Sequence, residues 1–180
     1  MRSTEAENGK VNTMYTDKYL GDFIGGTDDS LTLAAYLAAK QKEDISLEEI
    51  FADTGLARLG GDFRRHDEPL TAAGPEGMEV EFYYAIDLIT DLACLLLECR
   101  ESGRVSLCDF AGEEEEDGEF SAPPLRITAT PDEHALMNRA LSDFSACPSA
   151  YDISEMMAEE ELSEMAEVCE ELRKELYGDR

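Results

Sequence analysis

Tryptophan is absent, histidine occurs twice, and lysine and arginine together number 15 against 42 aspartates and glutamates. The net charge of −27 repels phosphate at long range, so the composition argues against direct nucleic-acid binding and against an anionic membrane surface. It favours a cationic partner. With two histidines and no Cys-x-x-Cys pair among the five cysteines, no zinc-ligand spacing is present. An odd number of cysteines, in a chain large enough to build its own core, reads as reduced, buried thiols of a cytoplasmic protein. The longest apolar run, Leu92–Leu97, covers six residues, well short of the ~20 that span a bilayer. The opening MRSTEAENGKVNT lacks the apolar core of a secretory signal. Neither GxGxxG nor GK[ST] occurs. Gly25-Gly26-Thr27 precedes a helix signal, but Asp28 and Asp29 put negative charge where a phosphate would sit. No cofactor is expected.

What is present suffices for a core. At 180 residues and 43% apolar content, a chain buries roughly 70% of the surface it exposes when unfolded. The expected organisation is a flexible tail over 1–13 and one α+β domain over 14–180. The pattern predicts a small, mainly antiparallel sheet of about three strands packed with four or five helices.

Tyr15–Ile24 reads as a strand ending at Gly25-Gly26, followed by a helix capped from Thr27-Asp28-Asp29-Ser30 with Leu33, Ala34, Leu37 and Ala38 at helical spacing. Ser46 with Glu49 three residues on is a capping box for a short helix from Leu47 to about Asp53, stopped by Gly55. Leu59–Gly77, rich in glycine and proline, reads as a long loop. From Glu76 to about Arg100 the apolar residues leave only a narrow polar stripe through Asp87, Asp91 and Glu98, as in a central buried helix; Val80, Phe82 and Tyr84 also alternate as in a strand. Arg104–Phe110 and Leu125–Thr130 alternate like strands, and Thr130-Pro131 with Glu133 opens another helix. The last helix runs from Ser154 to about Tyr177, its apolar seam formed by Leu162, Met165, Cys169, Leu172 and Leu176.

Five constellations could carry function. Glu160/Glu164, Glu167/Glu171 and Glu171/Glu175 are like-charge i,i+4 pairs on the last helix, together opposing it by about 1 kcal/mol. A solvated face would be more stable with mixed signs, so Glu160, Glu164, Glu167 and Glu171 are candidate partner-binding residues, as is the acidic run beginning Glu113, Glu114, Glu115, Glu116. Arg64, Arg65 and His66, followed by Asp67, form a basic island suited to internal ion pairing or to a partner's acidic group. Asp87 and Asp91 lie one helical turn apart, as a solvated stripe or as an acid and base pair, and Asp28/Asp29 with distant acids are a minor Mg²⁺ option.

Four segments, YLGDFIGGTDDSLTL (19–33), GDFRRHDEPL (61–70), EFYYAIDLITDL (81–92) and SAYDISEMMAEEEL (149–162), resemble the small acidic immunity proteins of bacterial polymorphic-toxin and contact-dependent inhibition systems. The resemblance covers most of residues 15–176 and implies a non-enzymatic inhibitor that binds a cognate toxin, often a nuclease, with no catalytic residues to carry over. Complementary charge would speed the encounter with a basic toxin. Two other classes fit the composition: a nucleic-acid mimic that blocks a DNA- or RNA-binding protein, and a Mg-dependent enzyme using paired carboxylates.

Overall fold

The structure is a computed structural model that describes residues 14–111 and 122–178. Its centre is a helix that is apolar nearly all round and therefore has no face to offer solvent: in α3 (Ala85–Ser102) every residue from Ala85 to Cys99 is buried. Around it pack α1 (Asp28–Ala39), α5 (Pro131–Ala146) and α6 (Glu159–Tyr177), with the shorter α2 (Leu47–Thr54) and α4 (Leu107–Ala111) further out. The fold class is α+β. Four strands form two separate ladders: β1 (Asp44–Ser46) pairs in parallel with β4 (Arg126–Thr128), and β2 (Leu70–Ala73) pairs antiparallel with β3 (Glu79–Phe82). The single three-stranded sheet is thus replaced by two short ribbons, each buried against helices on one face; Ile45 opposes Ile127, and Leu70 opposes Phe82.

The helix starts follow their local chemistry. Thr27 and Thr130 each form a full capping box, with Ser30 and Glu133 as the reciprocating residues, and Pro131 occupies the first turn of α5. Ser46 accepts the Glu49 amide at 3.1 Å, but the Glu49 carboxylate turns outward to Lys40 and Lys42, so only half of that box is made. Gly55 ends α2 in the left-handed region at φ 85°.

Several expected elements differ. Tyr15–Ile24 is a 3₁₀ turn (Tyr15–Lys18) followed by a closed loop, because Gly21, Gly25 and Gly26 let the chain fold on itself; a Cβ on Gly26 would lie 2.2 Å from the Gly21 carbonyl oxygen. Tyr19 and Ile24 reach the core from that loop without pairing. In Glu76–Arg100, the alternation prevails at the start: Val80 and Phe82 belong to β3, and the helix begins at Ala85. β2 lies inside the stretch expected to be loop. In Arg104–Phe110 only Val105 pairs, with Leu125; the chain then turns into α4, where Leu107 and Phe110, three apart, bury on one face of the helix, as they could not on a strand, whose side chains alternate. α6 begins at Glu159, and Asp152–Glu155 before it is a 3₁₀ turn. The strand β1, only three residues long, carries too short a pattern to be read.

Candidate functional site

The polar stripe of α3 is not solvated. Asp87, Asp91 and Glu98 are all buried, and a buried carboxylate requires compensation. Glu98 has it in full: it accepts the Thr16 amide at 2.9 Å, the Thr16 hydroxyl at 3.0 Å and the Ser102 hydroxyl at 2.7 Å, which holds the N-terminal 3₁₀ turn on the core. Asp91 accepts the Ser30 hydroxyl at 2.8 Å and the Gly25 amide at 3.1 Å, joining the glycine loop and the start of α1 to α3. Burial nevertheless pushes Asp91 up to about 7 against those two bonds.

Asp87 is different. No hydrogen-bond donor of the described residues reaches its buried Oδ1. Its side chain hydrogen-bonds the carboxyl of Asp29, which itself accepts the amides of Tyr83 at 2.8 Å and Tyr84 at 2.9 Å, where the chain passes from β3 into α3. Burial, then the charges of Asp91 and Asp29, push Asp87 up to about 8, which favours its protonated form, hydrogen-bonded to Asp29, at neutral pH. Burial also raises Asp29, against the two amides that favour its charged form.

Both carboxyls line a cleft of about 470 Å³ between the start of α1, the β3–α3 junction and the start of α6. Among the described residues, Asp22, Asp28, Glu161 and Glu164 complete its six acids, and no lysine or arginine lines it. Phe23, Tyr83, Tyr84, Ile153, Met156, Met157 and Met165 supply the apolar part. Tyr83 and Met156 remain 61% and 75% exposed, which is uncommon for large apolar side chains away from an interface.

The candidate partner-binding residues read from the sequence are not gathered at this cleft. Glu164 lines it; Glu160 and Glu171 are exposed elsewhere on α6, and Glu167 borders a second groove between α5 and α6. Glu113, Glu114, Glu115 and Glu116 lie outside the described residues. Arg64 forms a two-point pair with Asp62, both contacts at 2.8 Å, and Arg65 pairs with Glu155 at 2.8 Å. His66 places Nδ1 2.9 Å from the Glu68 carbonyl and Nε2 3.1 Å from the Tyr83 carbonyl, with Asp152 4.0 Å away. Of the basic island, His66 thus touches the cleft wall at Tyr83, while Arg64 and Arg65 are held in local ion pairs beside it. Asp28 and Asp29 line the cleft, and among the described residues no group of three or more His, Cys, Asp or Glu could hold a metal ion. Asp29 as a buried floor residue, and the Met156–Tyr83 rim, were not singled out by sequence; the available signal was the presence of acids within an otherwise apolar helix, which marks carboxylates that must be buried.

Among the described residues no helix is long and apolar enough to cross a membrane. Comparison with curated proteins and with solved structures returns no match. A family comparison does: residues 15–176 match immunity protein 68, and the chain belongs to that family of immunity proteins of toxin systems.

Proposed function

We propose that this chain is a cytoplasmic, non-enzymatic inhibitor that binds a basic toxin domain through its acidic surface and neutralises it one to one. The observation that carries this reading is the six-carboxylate cleft, with no lysine or arginine among the described residues that line it. Ten of the chain's lysines and arginines already sit in ion pairs with local carboxylates, from Lys18–Glu175 to Arg173–Glu170, so the surplus of acids is left for a partner. Exposed Glu160, Glu164, Glu167 and Glu171 extend the same field along α6, and net charge of this size accelerates encounter with a cationic surface. A nuclease is a fitting toxin class, since its phosphate-binding surface is basic.

The test is co-expression with the toxin encoded at the same locus, followed by association kinetics on the purified pair. Protection of the cell and an association rate that falls steeply between low and high salt are expected, because exposed charges are screened beyond ~10 Å at 0.1 M. An association rate indifferent to salt would refute the electrostatic reading; failure of the pair to form would refute the toxin partner.

A further inference from the structure

The cleft floor presents two carboxyls and only one set of donors. Asp29 is 1% and Asp87 4% exposed, and both line the cleft. Asp29 receives two backbone amides, while Asp87 Oδ1 receives nothing from the described residues. A buried carboxyl pair of this kind needs something positive or a proton between its members. In the free chain the proton serves. A metal ion is not the natural replacement, since no group of three or more His, Cys, Asp or Glu among the described residues could hold one. A guanidinium is. It is planar, offers several N–H donors in a fixed fork, sheds water more readily than an ammonium, and stacks on aromatic faces and thioethers. Tyr83, Tyr84 and Met156 provide those surfaces. The cleft volume of about 470 Å³ also admits the backbone that carries the side chain.

We infer that the base of the cleft is the receptor for an arginine of the toxin, whose guanidinium hydrogen-bonds Asp87 and Asp29 while Tyr83 and Met156 pack against its stem. This rests on the proposed toxin-binding role and names the site through which it acts. When the arginine enters, the Asp87 O–H bond breaks, its proton leaves to solvent, and a guanidinium N–H takes its place; the floor goes from one negative charge to two, opposed by one positive charge. Binding therefore strengthens as pH rises through the range in which Asp87 gives up its proton. The groups facing Asp87 in this transition are Asp29 from α1, Asp91 from its own helix, Tyr84 before it, Asp152 from the 3₁₀ turn and Cys169 from α6, none of them cationic.

The experiment is a nuclear magnetic resonance titration of the full chain with N-acetyl-arginine amide and, as a neutral isostere, N-acetyl-citrulline amide. Saturable shifts at the Gly25, Tyr83 and Tyr84 amides and the Met156 methyl are expected with the arginine probe alone, growing between pH 6.5 and 8.5. Asp87→Asn keeps the shape of the neutral acid but removes the charge, so it should stay folded by thermal melt and weaken the probe at least ~10-fold. Citrulline shifting the same resonances equally, no response to arginine, or an unchanged affinity in Asp87→Asn each overturns the site. A second arm separates the two readings. If the wild-type chain fails to bind the toxin of its locus, the immunity mechanism falls; if it binds and Asp87→Asn binds equally well, the toxin-neutralising role stands and the arginine receptor is refuted.

Discussion

Asp87→Asn should make the protein more stable, by an amount that grows with pH. In the folded chain Asp87 sits near pKa 8 against an ordinary 3.8. Between those values the native state holds a proton that the unfolded chain has released, so the number of bound protons is lower by one on unfolding and stability falls as pH rises. Each pH unit in that window removes about 1.4 kcal/mol, giving a ceiling of about 4 kcal/mol at pH 7. Relaxation of the folded state around a buried charge reduces the realised effect to ~1–3 kcal/mol. Asparagine is neutral in both states, and its amide N–H can donate to Asp29 as the carboxyl proton does, so it removes this pH dependence while keeping the contact. Asp91, raised to about 7, retains its own contribution in the variant, so the slope is lessened rather than abolished. At this chain length 1 kcal/mol moves Tm by roughly 2–4 °C. Melts followed by circular dichroism at pH 5 and pH 8 should therefore show a small gain at pH 5 and a gain of several degrees at pH 8. A gain that is equal at the two values, or a variant less stable at pH 8, would show that Asp87 is ionised in the native protein and refute the shared proton. A substitution that raises stability while it weakens binding is the expected signature of a residue kept for function.

Three further outcomes follow from the same packing. Glu98→Ala leaves the Thr16 amide and hydroxyl and the Ser102 hydroxyl without their acceptor, so it should destabilise by ~2–4 kcal/mol and open the Tyr15–Ile24 segment to limited proteolysis; a native cleavage pattern would refute its anchoring role. Replacing Glu164, Glu167 and Glu171 together by Gln, all exposed on α6, should leave Tm level or raise stability by up to about 1 kcal/mol while weakening toxin binding; unfolding of the triple variant would mean that these carboxylates hold the fold. Thiol alkylation of the native protein, followed by mass, should label exposed Cys147 first and spare Cys94, Cys99 and Cys169, which are buried and whose thiols burial pushes up, Cys94 to about 12; rapid labelling at Cys169 would show that α6 does not stay packed on α3.

The charge balance, the central apolar helix and the caps at Thr27, Ser46 and Thr130 were legible in the sequence because each rests on composition or on residues within one helical turn of each other. Where a short window satisfied two periods, as at Val80–Tyr84 and Val105–Phe110, tertiary packing decided: β3 formed because β2 was there to bond it, and past the Val105–Leu125 bridge the chain turned into α4, which buries Leu107 and Phe110 together. The acidic stripe of α3 shows the same division. Its spacing was visible, but whether Asp87, Asp91 and Glu98 face water or the interior depends on what packs over them, and α1, α6 and the N-terminal turn cover them. Sequence alone determined that the protein carries a large excess of carboxylates. Only the fold determined that two of them, 58 residues apart as Asp29 and Asp87, meet at the floor of one cleft, because burial and the donors available to each are properties of the packed chain and of no local segment.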